Sequence, residues 1–349
     1  MSILQTEKVV VNTPPVDGLP SLKMVVNRYT RTPLARIDPS CSNISLILFH
    51  GLGQTKEQWE PVLANLWDEA EGNADFAQCY HISEAWTPEW PSHGESATLN
   101  KPVLLENNIQ GISVTVWASG ISAFFMQGYL KNKQVIAVGF SIGTLAMFNG
   151  LCPIFSAEKS TPVIGLVVVE PLMFDRETSS PDHPRSNMIV KMMKKGIMSQ
   201  AENWPNQEAA RQYLTKQLPW SQWEQSVFES YMCHGLENYE VNGKQGVKLI
   251  CSRAEEASTY GRYQESWDAL SMLEQLSSII PIHVVFGSKD KLIPREWKAC
   301  VIDTSKGRKV AGVHQIEASH MVPAEKPADF AKLVSQLIRD IICSPVSKL

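Results

Sequence analysis

The sequence contains no long apolar run. Apolar stretches such as VIGLVVV (163–169) are far shorter than the roughly 20 residues that a membrane-spanning helix needs. The first residues, MSILQTEKVVVNTPP, contain no basic segment followed by an apolar stretch, so they do not resemble a secretory signal. We therefore expect a soluble intracellular protein without a transmembrane segment.

Cofactor and metal signatures are also missing. No GxGxxG or GxxxxGK[ST] loop occurs, and no CxxC or Cys/His ligand spacing is present. The seven cysteines are odd in number and scattered, which is typical of reduced thiols. They are Cys41, Cys79, Cys152, Cys233, Cys251, Cys300 and Cys343. We expect no cofactor and no metal ion.

Charge gives no reason to expect nucleic acid as a partner. The chain has 32 basic and 36 acidic residues, a net charge of −4, and no long basic run. Its 349 residues are enough for one large α/β domain or for a core domain with an insertion.

Strand-like and helix-like segments alternate through the first half of the chain. Strand-like runs include ISLILF, QVIAVGF and VIGLVVV, and helical spacing follows in EQWEPVLANLWDEA. The run VIGLVVV is apolar on both faces, as in a central parallel strand. This alternation predicts a mostly parallel central sheet flanked by helices.

The alternation stops after about residue 170 and resumes near residue 276. The intervening segment contains NMIVKMMKKGIM and WSQWEQSVFESYM, which have helical patterns. We predict a core of residues 1–170 and 276–349, with a helical cap of residues 171–275 inserted after the sixth core strand. Its Met and Trp side chains could form an adaptable apolar roof. They are Met192, Met193, Met198, Trp204, Trp220 and Trp223.

The pentapeptide GFSIG (139–143) lies between a predicted strand and a predicted helix. A nucleophilic serine needs such a strained turn to project its hydroxyl from the sheet edge. This context favours Ser141 as a nucleophile over a small residue in a tight bend. The N–H of Ile142 would then be one oxyanion donor, and Leu52 in HGLG (50–53) would supply the second.

A serine needs a histidine base and an acid that orients the histidine. His320 in EASHMVP lies between the last strand and the last helix, whereas His283 and His314 lie within strand-like runs. For the acid we prefer Asp290, which follows the strand IHVVFG. Glu170, at the end of LVVVE, is the alternative.

These blocks resemble the α/β-hydrolase superfamily over nearly the whole chain. The resemblance implies the α/β-hydrolase fold and a catalytic triad of Ser141, Asp290 and His320. A serine at the nucleophile position departs from the epoxide-hydrolase and dehalogenase branches, which use aspartate. The segment FESYMCHGL…GVKLICSRAEEASTYG, together with the terminal SKL, looks like fungal peroxisomal hydrolases of toxin biosynthesis.

We therefore predict a serine hydrolase that cleaves an ester or thioester of an apolar acyl substrate through an acyl-enzyme on Ser141, in secondary-metabolite or acyl-CoA metabolism. An acyl-CoA is one candidate substrate. Two alternatives stay open. One is an acyltransferase that uses the same acyl-enzyme, and the other is a non-catalytic binding protein of this fold.

The last three residues, Ser347, Lys348 and Leu349, match the tripeptide that the peroxisomal import receptor binds. We expect the receptor to be a partner and the peroxisomal matrix to be the location.

Overall fold

An eight-stranded sheet forms the centre of the computed structural model, which describes residues 4–32, 40–157, 161–241 and 243–343. The strands in these ranges are β1 (Gln5–Asn12), β2 (Lys23–Thr30), β3 (Ser42–Phe49), β4 (Tyr80–Pro88), β5 (Gln134–Phe140), β6 (Val163–Val169), β7 (Asn203–Trp204), β8 (Leu236–Val241), β9 (Lys244–Leu249), β10 (Ile282–Gly287) and β11 (Gly312–Ile316). The central sheet has the order β1-β2-β4-β3-β5-β6-β10-β11. The pairs β1–β2 and β2–β4 are antiparallel and the remaining pairs are parallel.

Helices cover both faces of this sheet. They are α1 (Glu60–Gly72), α2 (Ala74–Ala77), α3 (Gly94–Glu106), α4 (Val114–Met126), α5 (Gly143–Ala157), α6 (Pro184–Met198), α7 (Gln207–Leu214), α8 (Gln225–His234), α9 (Arg253–Thr259), α10 (Tyr263–Leu276), α11 (Arg295–Val301), α12 (Val322–Glu325) and α13 (Pro327–Cys343). Among the described residues, no helix is both long and apolar enough to cross a membrane.

Two clusters of buried apolar side chains lie between the central sheet and its helices. One joins α4, α5 and α10 to one face of the central strands, and the other joins α1 and α13 to the opposite face. The strand β6 is buried on both faces, which agrees with its unbroken apolar sequence. The predicted mostly parallel sheet with flanking helices is confirmed.

The segment between β6 and β10 is the predicted cap, which is mainly helical. It contains α6 to α10, but β7, β9 and β8 also form a small antiparallel sheet there. The sequence GVKLICS (246–252), which overlaps β9, is strand-like, whereas β7 has only two residues and is too short to give a sequence pattern. The last helix of the segment, α10, packs against α5 of the core. The division at residues 171–275 therefore remains a proposal.

A buried charged cluster joins the segments that follow β3 and β4. The ammonium group of Lys56, whose side chain is fully buried, lies 2.7 Å from Glu57 Oε1 and 3.2 Å from Glu89 Oε2. The same oxygen of Glu89 accepts the N–H of Ser96 at 2.9 Å. Burial raises the pKa of Glu89 to about 7, and the nearby Lys56 charge opposes this rise. These contacts hold two loops together at the carboxyl edge of the sheet.

The apolar face of α13 provides a direct test of the packing. Leu337 is fully buried against α1 and the sheet, whereas Gln336 beside it is exposed. Replacement Leu337→Ala should lower the free energy of unfolding by about 2–5 kcal/mol, because it removes buried methyl groups and leaves a cavity. Gln336→Ala should change it by less than about 0.5 kcal/mol. Urea unfolding measures both, and equal effects would contradict the assignment of the buried face.

The raised pKa of Glu89 predicts a pH dependence of stability. In the unfolded chain a glutamate has a pKa of about 4.3. The pKa of Glu89 in the folded protein is about 7, so the folded state keeps this proton over a wider pH range. The unfolded state therefore binds fewer protons within this window, and the free energy of unfolding falls as pH rises through it. Glu89→Gln removes this contribution, so the fall between about pH 5 and about pH 7 should be shallower than in the wild type.

Urea unfolding at several pH values tests this expectation, with Glu106→Gln at the exposed end of α3 as the matched control. If Glu89→Gln and wild type show the same slope, the carboxyl of Glu89 does not titrate in this window.

Candidate active site

Ser141 occupies a strained turn between β5 and α5. Its φ is +53°, a conformation that non-glycine residues rarely adopt, and its N–H donates to Val169 O at 2.9 Å. A Cβ added at Gly143 would lie 2.5 Å from the carbonyl oxygens of Phe49 and His50. Only glycine therefore allows the start of α5 to approach the end of β3 this closely. This geometry matches the turn that the pentapeptide predicts.

The imidazole of His320 lies directly beside this serine. Its Nε2 is 2.9 Å from Ser141 Oγ, and its Nδ1 is 3.1 Å from Glu170 Oε2. Since a carboxylate only accepts hydrogen bonds, Nδ1 carries the proton and Nε2 is free to accept from the serine hydroxyl. The structure thus brings Ser141 and His320 together, with Glu170 behind the ring.

Glu170 follows β6 and is completely buried. Its backbone has φ +45°, and its N–H donates to Val285 O at 2.9 Å, so the end of β10 holds this residue in place. Besides His320, the carboxylate accepts the N–H of Gly287 at 2.6 Å and the ammonium group of Lys298 at 2.8 Å. A buried carboxylate requires such partners, and the sequence contains no pattern that identifies Lys298 as one of them.

Asp290, the acid preferred from the sequence, does not hydrogen-bond to His320 in the described part of the chain. Its carboxylate accepts the N–H groups of Leu292 at 2.8 Å and Ile293 at 3.2 Å, so it caps its own turn. It also contacts Lys298 at 2.8 Å.

Burial raises the pKa of the Asp290 carboxyl, but the hydrogen bonds from Lys298 and Leu292 and the charge of His320 lower it more, so the net shift is downward. One carboxylate oxygen of Asp290 still lies within 4.8 Å of a nitrogen of His320 and of an oxygen of Glu170. Lys298 bridges the two acids, and Glu170, the alternative acid, is the one that contacts the base.

Two backbone N–H groups near Ser141, one in the loop after β3 and one in the turn after β5, have no hydrogen-bond acceptor among the described residues. Gly51 donates its N–H to Gln54 Oε1, and Gly53 donates to His93 Nε2, both at 3.0 Å. Within the described residues, the N–H groups of Leu52 and Ile142 have no hydrogen-bond acceptor. They are the two donors that the sequence predicts.

Two buried histidines hold the loop that carries Leu52. His50 Nε2 accepts the N–H of Trp90 at 3.2 Å, and its Nδ1 donates to Gly51 O at 2.8 Å. Burial lowers the pKa of His50 to about 4. Burial also lowers the pKa of His93 well below its ordinary value, and its ring stacks on Trp90 at 4.9 Å. Both rings are therefore neutral near pH 7 and position the loop.

A cavity of about 690 Å³ opens above Ser141 and His320. Four side chains of the predicted roof line it, namely Met192, Met193, Trp220 and Trp223. Trp204 instead belongs to a separate apolar cluster of the inserted segment, and the Met198 side chain is 56% exposed to solvent. The lining is mainly apolar, as expected for a small-molecule site.

One wall of the cavity carries a buried ion pair. Arg253 Nη1 donates to both carboxylate oxygens of Glu256, at 2.9 and 3.1 Å, and the guanidinium lies 5.1 Å from the Trp220 ring centre. Burial raises the pKa of Glu256 to about 7, although the Arg253 charge opposes the rise. Sequence reasoning missed this pair, because i and i+3 charges on a helix are usually solvated.

A family profile that matches the sequence agrees with the fold described above. The profile of the Alpha/beta hydrolase family matches residues 46–333. No curated protein sequence gives a significant match.

Several solved structures are similar to this chain at low sequence identity. The peroxisomal alpha-beta-hydrolase Lpx1 from Saccharomyces cerevisiae has a TM-score of 0.71 at 16% identity, over 99% of this chain and 91% of its own. The thioesterase domain from the curacin biosynthetic pathway has a TM-score of 0.60 at 14% identity, over 95% of this chain and 99% of its own. A thermophilic esterase from Thermogutta terrifontis has a TM-score of 0.56 at 15% identity, over 96% and 99%.

At these identities the structural similarities describe the fold, whereas the family profile covers most of the sequence and confirms the resemblance seen in its motifs. The chain belongs to the alpha/beta hydrolase family.

Proposed function

We propose that this protein is a serine hydrolase that cleaves an ester or thioester of an apolar acyl substrate. The observation that carries the proposal is the hydrogen-bonded chain Ser141–His320–Glu170. Ser141 and His320 line an apolar cavity. Each contact has the geometry that general-base activation of a serine requires.

In the first step, Ser141 Oγ attacks the carbonyl carbon of the substrate and transfers its proton to His320 Nε2. The negative charge on the carbonyl oxygen is stabilised by the N–H groups of Leu52 and Ile142. His320 then protonates the leaving alcohol or thiol as the bond to the carbonyl carbon breaks. The acyl group remains esterified to Ser141.

In the second step, His320 removes a proton from a water molecule, which attacks the acyl-enzyme. Collapse of this second intermediate returns the proton to Ser141 Oγ and releases the carboxylic acid. Protons, electrons and atoms balance over the cycle, and the reaction requires only substrate and water.

We assign the orienting acid to Glu170 in place of Asp290. Glu170 Oε2 contacts Nδ1 of His320, and its second oxygen is held by Lys298 and by the N–H of Gly287. This arrangement keeps the imidazole in the tautomer that accepts from serine and stabilises the imidazolium that forms. Asp290 acts through Lys298, which it neutralises from the other side.

The substrate class rests on the cavity lining and on weaker comparisons. Met192, Met193 and Trp223 provide flexible and aromatic surface for an acyl chain. Two similar structures are described as an esterase and a thioesterase domain, which supports both leaving-group classes. An acyl-CoA substrate in the peroxisomal matrix remains a prediction, because Ser347, Lys348 and Leu349 lie outside the described residues.

Replacement of the nucleophile is the first test. Ser141→Ala should lower kcat for a short p-nitrophenyl ester by at least about 10³-fold, because no acyl-enzyme can form. The wild type should also react with a fluorophosphonate probe, and the variant should not. Undiminished turnover or labelling in the variant would show that another residue is the nucleophile.

The two acids can be distinguished by a matched pair of isosteric substitutions. Glu170→Gln should lower kcat by about 10³-fold or more, because the imidazole loses the carboxylate that stabilises its protonated form. Asp290→Asn should lower kcat by about tenfold or less, since Asp290 does not touch the ring.

Steady-state kinetics measures both variants, and thermal melting verifies that each one is folded. A larger loss in Asp290→Asn than in Glu170→Gln would reverse the assignment and restore the acid preferred from the sequence.

A further inference from the structure

The cap helix α6 has two apolar faces, one that lines the cavity and one that is exposed to solvent. Residues on one face line the cavity, namely Ile189, Met193, Gly196, Ile197 and Gln200 just after the helix. Within α6 only Ser186 is buried, so this helix lies over the cavity without entering the core. An amphipathic surface helix normally has one apolar face, so the second face of α6 requires an explanation.

The second face is exposed to solvent, and Met192 lies at its border with the first face, because the Met192 side chain also lines the cavity. Met188, Lys191, Met192, Lys195 and Met198 follow one another at helical spacing, and all five are exposed. We call these five residues the outer face of α6. Its three methionines are 55%, 66% and 56% exposed, values that are unusual for large apolar side chains.

Exposed apolar side chains concentrate around this helix. Twelve large hydrophobic side chains are exposed among the described residues, and five of them lie on α6, at the cavity rim or in contact with Gln200 just after the helix. Three belong to the outer face. The others are Leu292, which lines the cavity, and Leu218, whose carbonyl oxygen accepts from Gln200 Nε2. A concentration of exposed apolar side chains of this kind marks an interaction site.

The net charge of helix α6 is positive, whereas that of the whole chain is negative. The net charge of the protein is −4, but α6 contains Arg185, Lys191, Lys194 and Lys195 and no acidic residue. Arg185 pairs with Glu296 at 3.1 Å. Within the part of the chain that the structure describes, no carboxylate pairs with the three lysines of α6 or with Lys291 at the cavity rim.

We propose that the outer face of α6 docks on an anionic lipid membrane. Alternating methionines would enter the boundary between headgroups and acyl chains, while the unpaired lysines would bind lipid phosphates and carboxylates. Because the inner face of the same helix roofs the cavity, docking places the cavity mouth at the lipid surface. An apolar acyl substrate could then pass from the membrane to Ser141 without crossing water.

Vesicle sedimentation with the full chain tests the proposal. The Ser141→Ala variant is used so that no lipid ester is hydrolysed, and binding is compared on phosphatidylcholine vesicles with and without about 30% phosphatidylserine. Binding should be at least about tenfold stronger on the anionic vesicles and should weaken at high salt.

Two double substitutions in this background separate the contributions. Lys191→Glu with Lys195→Glu should lower binding to anionic vesicles by about tenfold or more, since each basic residue near the surface contributes about fivefold. Met188→Gln with Met198→Gln should lower binding to both kinds of vesicle. The matched control is Met126→Gln with Lys332→Glu, at exposed positions of α4 and α13, which should bind like the parent chain.

Three results would overturn the proposal. The first is equal binding of the parent chain to neutral and anionic vesicles, and the second is unchanged binding of the α6 variants. The third is a dimer in size-exclusion chromatography that Met188→Gln with Met198→Gln converts to a monomer, because the outer face would then be a protein interface. The binding assay does not depend on turnover, so its failure is distinct from failure of the proposed hydrolase activity.

Discussion

The fully buried carboxylate of Glu170 is the group on which the arrangement of the site depends. Its negative charge is tolerable in the core only because Lys298, Gly287 and His320 all donate hydrogen bonds to it. These partners come from three separate parts of the chain after β6, so the carboxylate fixes their relative positions. The distance between His320 and Ser141 follows from this arrangement, as does the tautomer that makes the imidazole a base.

The sequence predicts this site unevenly, and the reason is physical. The turn at Ser141 and the loop at His320 are local features, in which strand, turn and helix signals occur within a few residues. The choice of acid is not local, because Glu170 and Asp290 both follow neighbouring parallel strands, β6 and β10. Only the side-chain directions decide between them. Asp290 turns to cap Leu292 and Ile293, and Lys298 lies in a helix with no recognisable motif.

The inserted segment was predicted less completely than the core for a similar reason. Its strand β7 has only two residues and its helix α6 has a single buried residue, so periodicity carries little information about these two elements. Yet this segment supplies the ion pair of Arg253 and Glu256 and most of the cavity roof. In the proposed function the core therefore supplies the catalytic groups, whereas the insert supplies much of the cavity lining.

Rapid-quench mass spectrometry can detect the proposed acyl-enzyme on Ser141. The wild-type enzyme is mixed with a short-chain p-nitrophenyl ester, quenched in acid within the first turnover and digested for peptide mapping. The proposed mechanism predicts a transient mass increase equal to one acyl group on the peptide that contains Ser141, and its disappearance as free acid forms. Turnover without any adduct, or an adduct on another residue, would contradict an acyl-enzyme on Ser141.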